Sequence, residues 1–470
     1  MGKQQKIFFD FLRFCIGSAK EIPDSLKEAD LKELYAIAKK QCLVGILFDG
    51  IKKLPAEHVG LEKELLLQWM AESQMLEKAN VRLNDAAIQV SEWFRKKGFR
   101  TCILKGQGNA LMYPNPYSRT PGDIDIWVEG GDKRLISFVR SISPHEKACY
   151  HHIEFPPYKG VEVEVHYRPS FLLCFWHNRK LQKYYERVKE EQFSHRVMFG
   201  AQREVAIPTV EFNLIFQLTH IFSHLMNEGI GLRQLLDYYY VLCDFYKVYQ
   251  KSSKITPSLF TLKEGSTSHP DPLSMVFTPP SVPPFPGDRN LRGEGGNRPT
   301  RCSEPLRSKD GGPKRSSPDC AGWDRRDAIG DMTSATASTS TDTSATAARS
   351  SFAANSSAAI DRVQKELKEL GLWKFAGGIM YIMQEVFGMP ASRLIVPPNE
   401  KYGKFVLNEV LEAGNFGKHD DRNRFGRSQF GHNLQRVYRD MRLVKFFPAE
   451  ALCEPLFRTW HFFWRLKYKK

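Results

Sequence analysis

The sequence predicts a mixed α/β (α+β) fold, with a small mixed sheet set between a helical N-terminal region and a helical C-terminal domain. Three observations carry this. Apolar residues recur at helical spacing over residues 1–97 and again beyond 201. Between these stretches, Thr101–Leu104 and Ile124–Val128 are short apolar runs. Val161-Glu-Val-Glu-Val-His166 alternates strictly. A period of two marks strands and a period near 3.6 marks helices, so the centre is sheet and the flanks are helix.

Taken in order, Leu31, Leu34, Tyr35 and Ala38 form one helical stripe, and Leu65, Leu66, Trp69, Met70 and Met75 belong to another. Gly98 then punctuates the chain before the first strand. A domain over 98–200 holds the three strands, with a short helix expected at Ala110–Tyr113. Phe212, Ile215, Phe216, Leu218, Ile221, Phe222 and Leu225 open the C-terminal helical domain, followed by Leu232, Leu235, Leu236, Tyr239 and Leu242. Residues 252–358 lose all apolar periodicity; Pro279-Pro280, Pro283-Pro284, Gly295-Gly296 and a Ser/Thr/Ala run replace it. Such a segment buries too little to offset its ordering entropy and reads as a disordered insertion. Val363, Leu367 and Leu370, ended by Gly371, resume the helical domain, which therefore comprises 201–251 plus 359–470.

The chain has 470 residues, 42% of them hydrophobic and 12% aromatic, which excludes a wholly disordered protein. No run approaches the roughly 18 apolar residues of a membrane helix. The polar start, Met1-Gly2-Lys3-Gln4, leads to no signal-peptide pattern, so a cytoplasmic location is expected. None of the 9 cysteines forms a C-x-x-C pair, which favours reduced, buried thiols over a zinc or disulfide framework. The net charge is +15, and the C-terminal end mixes bases with Trp460, Phe462, Phe463 and Trp464. That end reads as a terminal helix with its aromatics packed inward; stacking on RNA is the alternative.

The stretch that carries chemistry is Leu104-Lys-Gly-Gln-Gly-Asn, followed by Arg119-Thr-Pro-Gly-Asp-Ile-Asp-Ile126. Asp123 and Asp125 stand two apart at the start of a strand, so both carboxylates share a face. Two like charges repel there unless a divalent cation lies between them. Magnesium takes carboxylate oxygens and bridges phosphates. A third acid on a neighbouring strand completes such a site; Glu162 and Glu164 lie on one face and parity does not separate them. Lys105-Gly106-Gln107-Gly108 links a strand to a helix, where backbone N–H groups and a lysine suit phosphate. Arg119 is a second candidate phosphate ligand. His220 and His224 share a helix face, as core histidines, as contacts to a nucleotide or acceptor, or as metal ligands. Arg233 and Asp237 repeat that spacing, as an ordinary ion pair or as ligands.

This arrangement resembles the nucleotidyltransferase fold of the DNA polymerase β-like superfamily. It is closest to a bacterial branch of uncharacterised nucleotidyltransferases. That branch shares Leu104-Lys105-Gly106, Arg119 to Ile126, Glu164-Val165-His166, the His220/His224 pair, and Arg233 before Leu235-Leu236-Asp237. The resemblance implies transfer of NMP from an NTP to an acceptor, with release of pyrophosphate. It assigns Asp123, Asp125 and Glu164 to catalysis and to two Mg ions, preferring Glu164 because it stands two before His166. Lys105, Gly106, Gln107, Gly108, Arg119 and His166 would surround the nucleotide, and His220, His224, Arg233 and Asp237 the acceptor or the ligands themselves. Two features depart from the wider superfamily. Gln107 replaces a Gly or Ser, and the spacer from Gln107 to Asp123 is long. The implied partners are an NTP and an acceptor that is a small molecule, a protein or an RNA. A toxin-like transferase acting on tRNA and an inactive nucleotide-binding scaffold are the rival expectations.

Overall fold

The computed structural model describes residues 2–55, 62–199, 203–252, 342–418, 420, 422 and 429–468. Met1–Ser274 with Ala348–Lys470 forms one compact unit. Of the segment read as a disordered insertion, 253–341 lies outside the described residues.

The chain opens with α1 (Lys3–Ile16), which buries Phe8, Phe11, Leu12 and Cys15 along one face and ends at Gly17. Asp30 caps α2 (Leu31–Lys40), its carboxylate accepting from the Lys32 and Glu33 amides at 2.9 and 3.2 Å. After α3 (Val44–Ile51) comes the long α4 (Lys63–Lys96), whose Trp69 is fully buried and donates its indole N–H to the Val44 carbonyl at 2.9 Å. Gly45 of α3 lets the 116–118 turn approach closely; a Cβ there would fall 2.4 Å from the Ser118 carbonyl oxygen.

The sheet follows. β1 (Thr101–Leu104) leads through Lys105 into α5 (Gly106–Ala110), and β2 (Ile124–Val128) into α6 (Gly131–Ile142). β3 (His152–Tyr158) and β4 (Val161–His166) form a hairpin. The order is β1-β2-β4-β3; β2 and β4 pair in parallel, and the two outer pairs are antiparallel. Every residue of β1 and β2 is buried, which is why both read as unbroken apolar runs rather than alternations. The three expected strands are present, and β3 is added to them. Its Pro156 and Pro157 obscured it, but it lies at the sheet edge, where a missing N–H is tolerated, and the ladder shifts register between Phe155 and Tyr158. The helix expected at Ala110–Tyr113 lies instead at Gly106–Ala110, sharing only Ala110 with that expectation.

Beyond the sheet, α7 (Phe175–Ser194) precedes a small hairpin of β5 (Arg196–Phe199) and β6 (Arg203–Ala206). Then come α8 (Val210–Asn227), α9 (Leu232–Ser252), α10 (Asp342–Glu369), α11 (Trp373–Glu385), α12 (Glu400–Ala413), α13 (Gln429–Leu443) and α14 (Pro448–Lys467). The helix read at Val363, Leu367 and Leu370 is the later part of α10, whose described side chains begin at Ser356. One apolar cluster joins the N-terminal helices, the inner sheet face and α8 to α12, with Phe216, Tyr238, Phe245 and Phe375 fully buried.

The terminal helix corrects an expectation. Phe457 of α14 is buried, but Phe462 and Phe463 are 50% and 63% exposed. Aromatics on adjacent positions point in different directions around a helix, and only one face of α14 meets the core. Among the described residues, no helix is long and apolar enough to cross a membrane.

Candidate active site

The sheet register positions the acids. Asp125 is the second residue of β2, and the parallel ladder sets it directly beside Glu164 of β4. Asp123 stands just before β2. One carboxylate oxygen from each of Asp123, Asp125 and Glu164 lies within 4.8 Å of the others. On the other side of Asp125 is Leu104 of β1, so the chain leaving that strand delivers Lys105 to the same place. The Lys105 Nζ lies 2.7 Å from Asp125 Oδ1. Lys105 reaches it from a left-handed backbone, φ 48°, rare for a residue with a side chain.

His166 completes the cluster. It follows Glu164 by two on β4, so both project from one face. Its Nε2 lies 2.9 Å from Asp125 Oδ1 and 3.2 Å from Glu164 Oε2. The antiparallel β3–β4 ladder places His152 opposite His166, and His152 Nδ1 lies 3.2 Å from Glu164 Oε2 and 3.1 Å from His151 Nε2. Cys149 Sγ then meets His151 Nδ1 at 3.4 Å.

The charges follow from these distances. Burial alone would raise the Asp125 carboxyl, but Lys105 and the His166 hydrogen bond hold it below the ordinary carboxylate range. Asp123 moves the other way: the charge of Asp125, then burial, pushes it up to about 6. Burial would lower His166, yet its bonds to Asp125 and Glu164 raise it to about 9. Lys105 overcomes burial through Asp125, Asp123 and Glu164 and stays above its usual value. Asp125 and Glu164 are thus anionic against two cations, with Asp123 titrating nearby. Three carboxylates offering only oxygen suit a hard cation such as Mg²⁺, and soft ligands are missing from the triad itself.

Other residues singled out in the sequence lie elsewhere or do something else. Arg119 was read as a phosphate ligand; its guanidinium is 3% exposed and forks onto Asp237, with Nε and Nη2 each 2.8 Å from a carboxylate oxygen. Tyr113 also donates to Asp237, at 2.7 Å. Asp237 is therefore not the partner of Arg233. Arg233 Nη1 donates instead to the Thr120 carbonyl at 3.1 Å, on the loop that leads to Asp123. Gln107 is buried and donates its amide to Asn84 of α4. Gly106 and Gly108 are buried within α5, which is only five residues long. His220 and His224 face each other on α8 with ring centroids 4.3 Å apart. Burial, then Lys105, holds His220 well below the usual imidazole range, so it borders the cluster. His224 turns to Glu228 at 3.2 Å.

The sequence reading missed His151, His152 and Cys149. Their only local signal is a His-His pair at the start of an unrecognised strand. Their place depends on pairing with β4, which no local pattern encodes. Against known proteins, a family model described as uncharacterised nucleotidyltransferase matches residues 27–249, a span that contains the sheet and all three acids. No curated protein and no solved structure matches the chain.

Proposed function

Residues 27–249 belong to a nucleotidyltransferase family, and on that premise we propose that the chain transfers NMP from an NTP to an acceptor and releases pyrophosphate. The observation that carries this is the triad itself: Asp125 abreast of Glu164, with Asp123 one step before the strand. Magnesium held by Asp123, Asp125 and Glu164 would neutralise phosphate charge and align the attacking and leaving oxygens.

The chain's own residues have separate tasks. Glu164, kept anionic, accepts the proton of the acceptor hydroxyl. His166 fixes the Asp125 and Glu164 carboxylates by bridging them through Nε2. Lys105 holds Asp125 in the absence of substrate, and rotation of its long side chain exchanges that carboxylate for a phosphate oxygen. Arg119, Asp237, Tyr113 and Arg233 set the loop before Asp123 rather than touching the nucleotide.

The test is incubation of the purified protein with each α-labelled NTP, Mg²⁺ and fractionated cell lysate. Label should pass to one acceptor class as pyrophosphate appears. Lysate fractions treated with nuclease or protease then assign the acceptor to RNA, protein or small molecule. Binding of Mg·NTP with no pyrophosphate release under any condition would support the inactive scaffold instead.

A further inference from the structure

Away from the carboxylate triad, α7 and α14 bring together four groups able to bind a metal. Cys174 is the residue on which α7 begins, and His177 lies three residues on. Glu450 and Cys453 of α14 repeat that spacing, so each pair shares one face of its helix. One ligand atom from each of Cys174, His177 and Glu450 lies within 4.8 Å of the others. The Cys453 thiol neighbours that of Cys174 but lies outside the 4.8 Å cluster of the other three, and both cysteines are free.

The surrounding contacts hold these groups in position. Glu450 Oε2 accepts the backbone N–H of Leu173 at 2.6 Å and of Cys174 at 2.9 Å, while Oε1 meets His177 Nδ1 at 2.9 Å. The His177 ring lies flat against Gly371, where a Cβ would fall 2.4 Å from its Cε1. The Glu450 side chain is 5% exposed, and its ion-pair partner among the described residues is His177.

We propose that Cys174, His177, Glu450 and Cys453 form a structural zinc site that fastens α14 to the start of α7. Two thiolates and an imidazole select zinc over magnesium, and four protein donors close the coordination sphere. Donors about a tetrahedral zinc, with bonds of about 2.0–2.3 Å, lie about 3.3–3.8 Å apart, so rotation of the side chains, that of Cys453 above all, completes the site. On binding, each thiol releases its proton to solvent. His177 keeps one ring proton, moved to the nitrogen that does not ligate. The Cys174/His177 and Glu450/Cys453 fragments lie far apart in the chain, so no C-x-x-C pair marks the site.

The test uses the full chain, reduced and stripped of metal, then given zinc or cobalt(II) with magnesium in excess. About one zinc per chain should survive gel filtration. Cobalt should give a thiolate charge-transfer band that Cys174→Ser and Cys453→Ser weaken or abolish and Cys149→Ser leaves intact. Amide exchange in α14 should slow by about tenfold when free zinc reaches about ten times its Kd. The absence of a thiolate band in the unaltered chain would overturn the site without reliance on any variant. A band that survives both cysteine variants but vanishes with Cys149→Ser would place the metal beside His151 and overturn it equally.

Discussion

The buried pair between Arg119 and Asp237 allows a quantitative test of what Arg119 does. Asp237→Ala removes the carboxylate that takes both Nε and Nη2 of a guanidinium only 3% exposed. Breaking one side of such a pair costs about 3–5 kcal/mol, because the remaining charge stays buried. Tyr113 also loses its acceptor, a further penalty of about 1–3 kcal/mol. The two share one network and do not add fully, so about 4–6 kcal/mol is expected, close to the whole stability of a modest protein. Urea denaturation followed by circular dichroism measures this. Arg119→Met with Asp237→Leu should recover most of the loss, since no charge is then left unpaired. Tyr113→Phe should cost only about 1.5–3 kcal/mol, the value of a bond to a charged group. A loss under about 1 kcal/mol for Asp237→Ala would refute the reasoning. So would an Arg119→Met protein of full stability whose KM for NTP rises more than about tenfold, which would return Arg119 to the phosphates.

Asp123→Asn with Asp125→Asn should abolish pyrophosphate release in a magnesium-dependent assay; undiminished release would reject the triad. Gln107→Gly should leave NTP affinity within about threefold, because the amide is spent on Asn84 and not on the nucleotide; titration calorimetry showing a change beyond about tenfold would contradict that. Asp440 is raised to about 7 by burial and then by Glu454. The folded chain there keeps a proton that the unfolded chain has released, so stability is lost as pH climbs from about 4 to about 7. Asp440→Asn should therefore stabilise at pH 8 and do nothing at pH 4, as thermal melts at the two pH values will show.

The strands that carry the acids were legible because they are short, apolar and buried on both faces, or strictly alternating. Asp123, Asp125 and Glu164 could be grouped from strand parity and resemblance. What stayed hidden depends on pairing between distant segments. Asp237 looked like the helical partner of Arg233, four residues away, yet it binds Arg119 from another element. Lys105 looked like a phosphate ligand, and the resting structure gives its charge to Asp125. His152 reaches Glu164 only through β3, which two prolines disguised. The aromatic C-terminal helix misled for a different reason: composition says that rings are present, but not which face meets the core.

The strand order β1-β2-β4-β3 also bears on how the site comes into being. The β3–β4 hairpin can close locally, within microseconds for such a turn. Glu164 meets Asp125 only when that hairpin docks on β2 across the intervening α6, a non-local step that pays loop-closure entropy first. A chain emerging N-terminus first presents Asp123 and Asp125 well before their third partner. The magnesium binding proposed for the triad would then be a clock for folding: it should appear in refolding with the docking of β4, later than helix signal, and not with collapse.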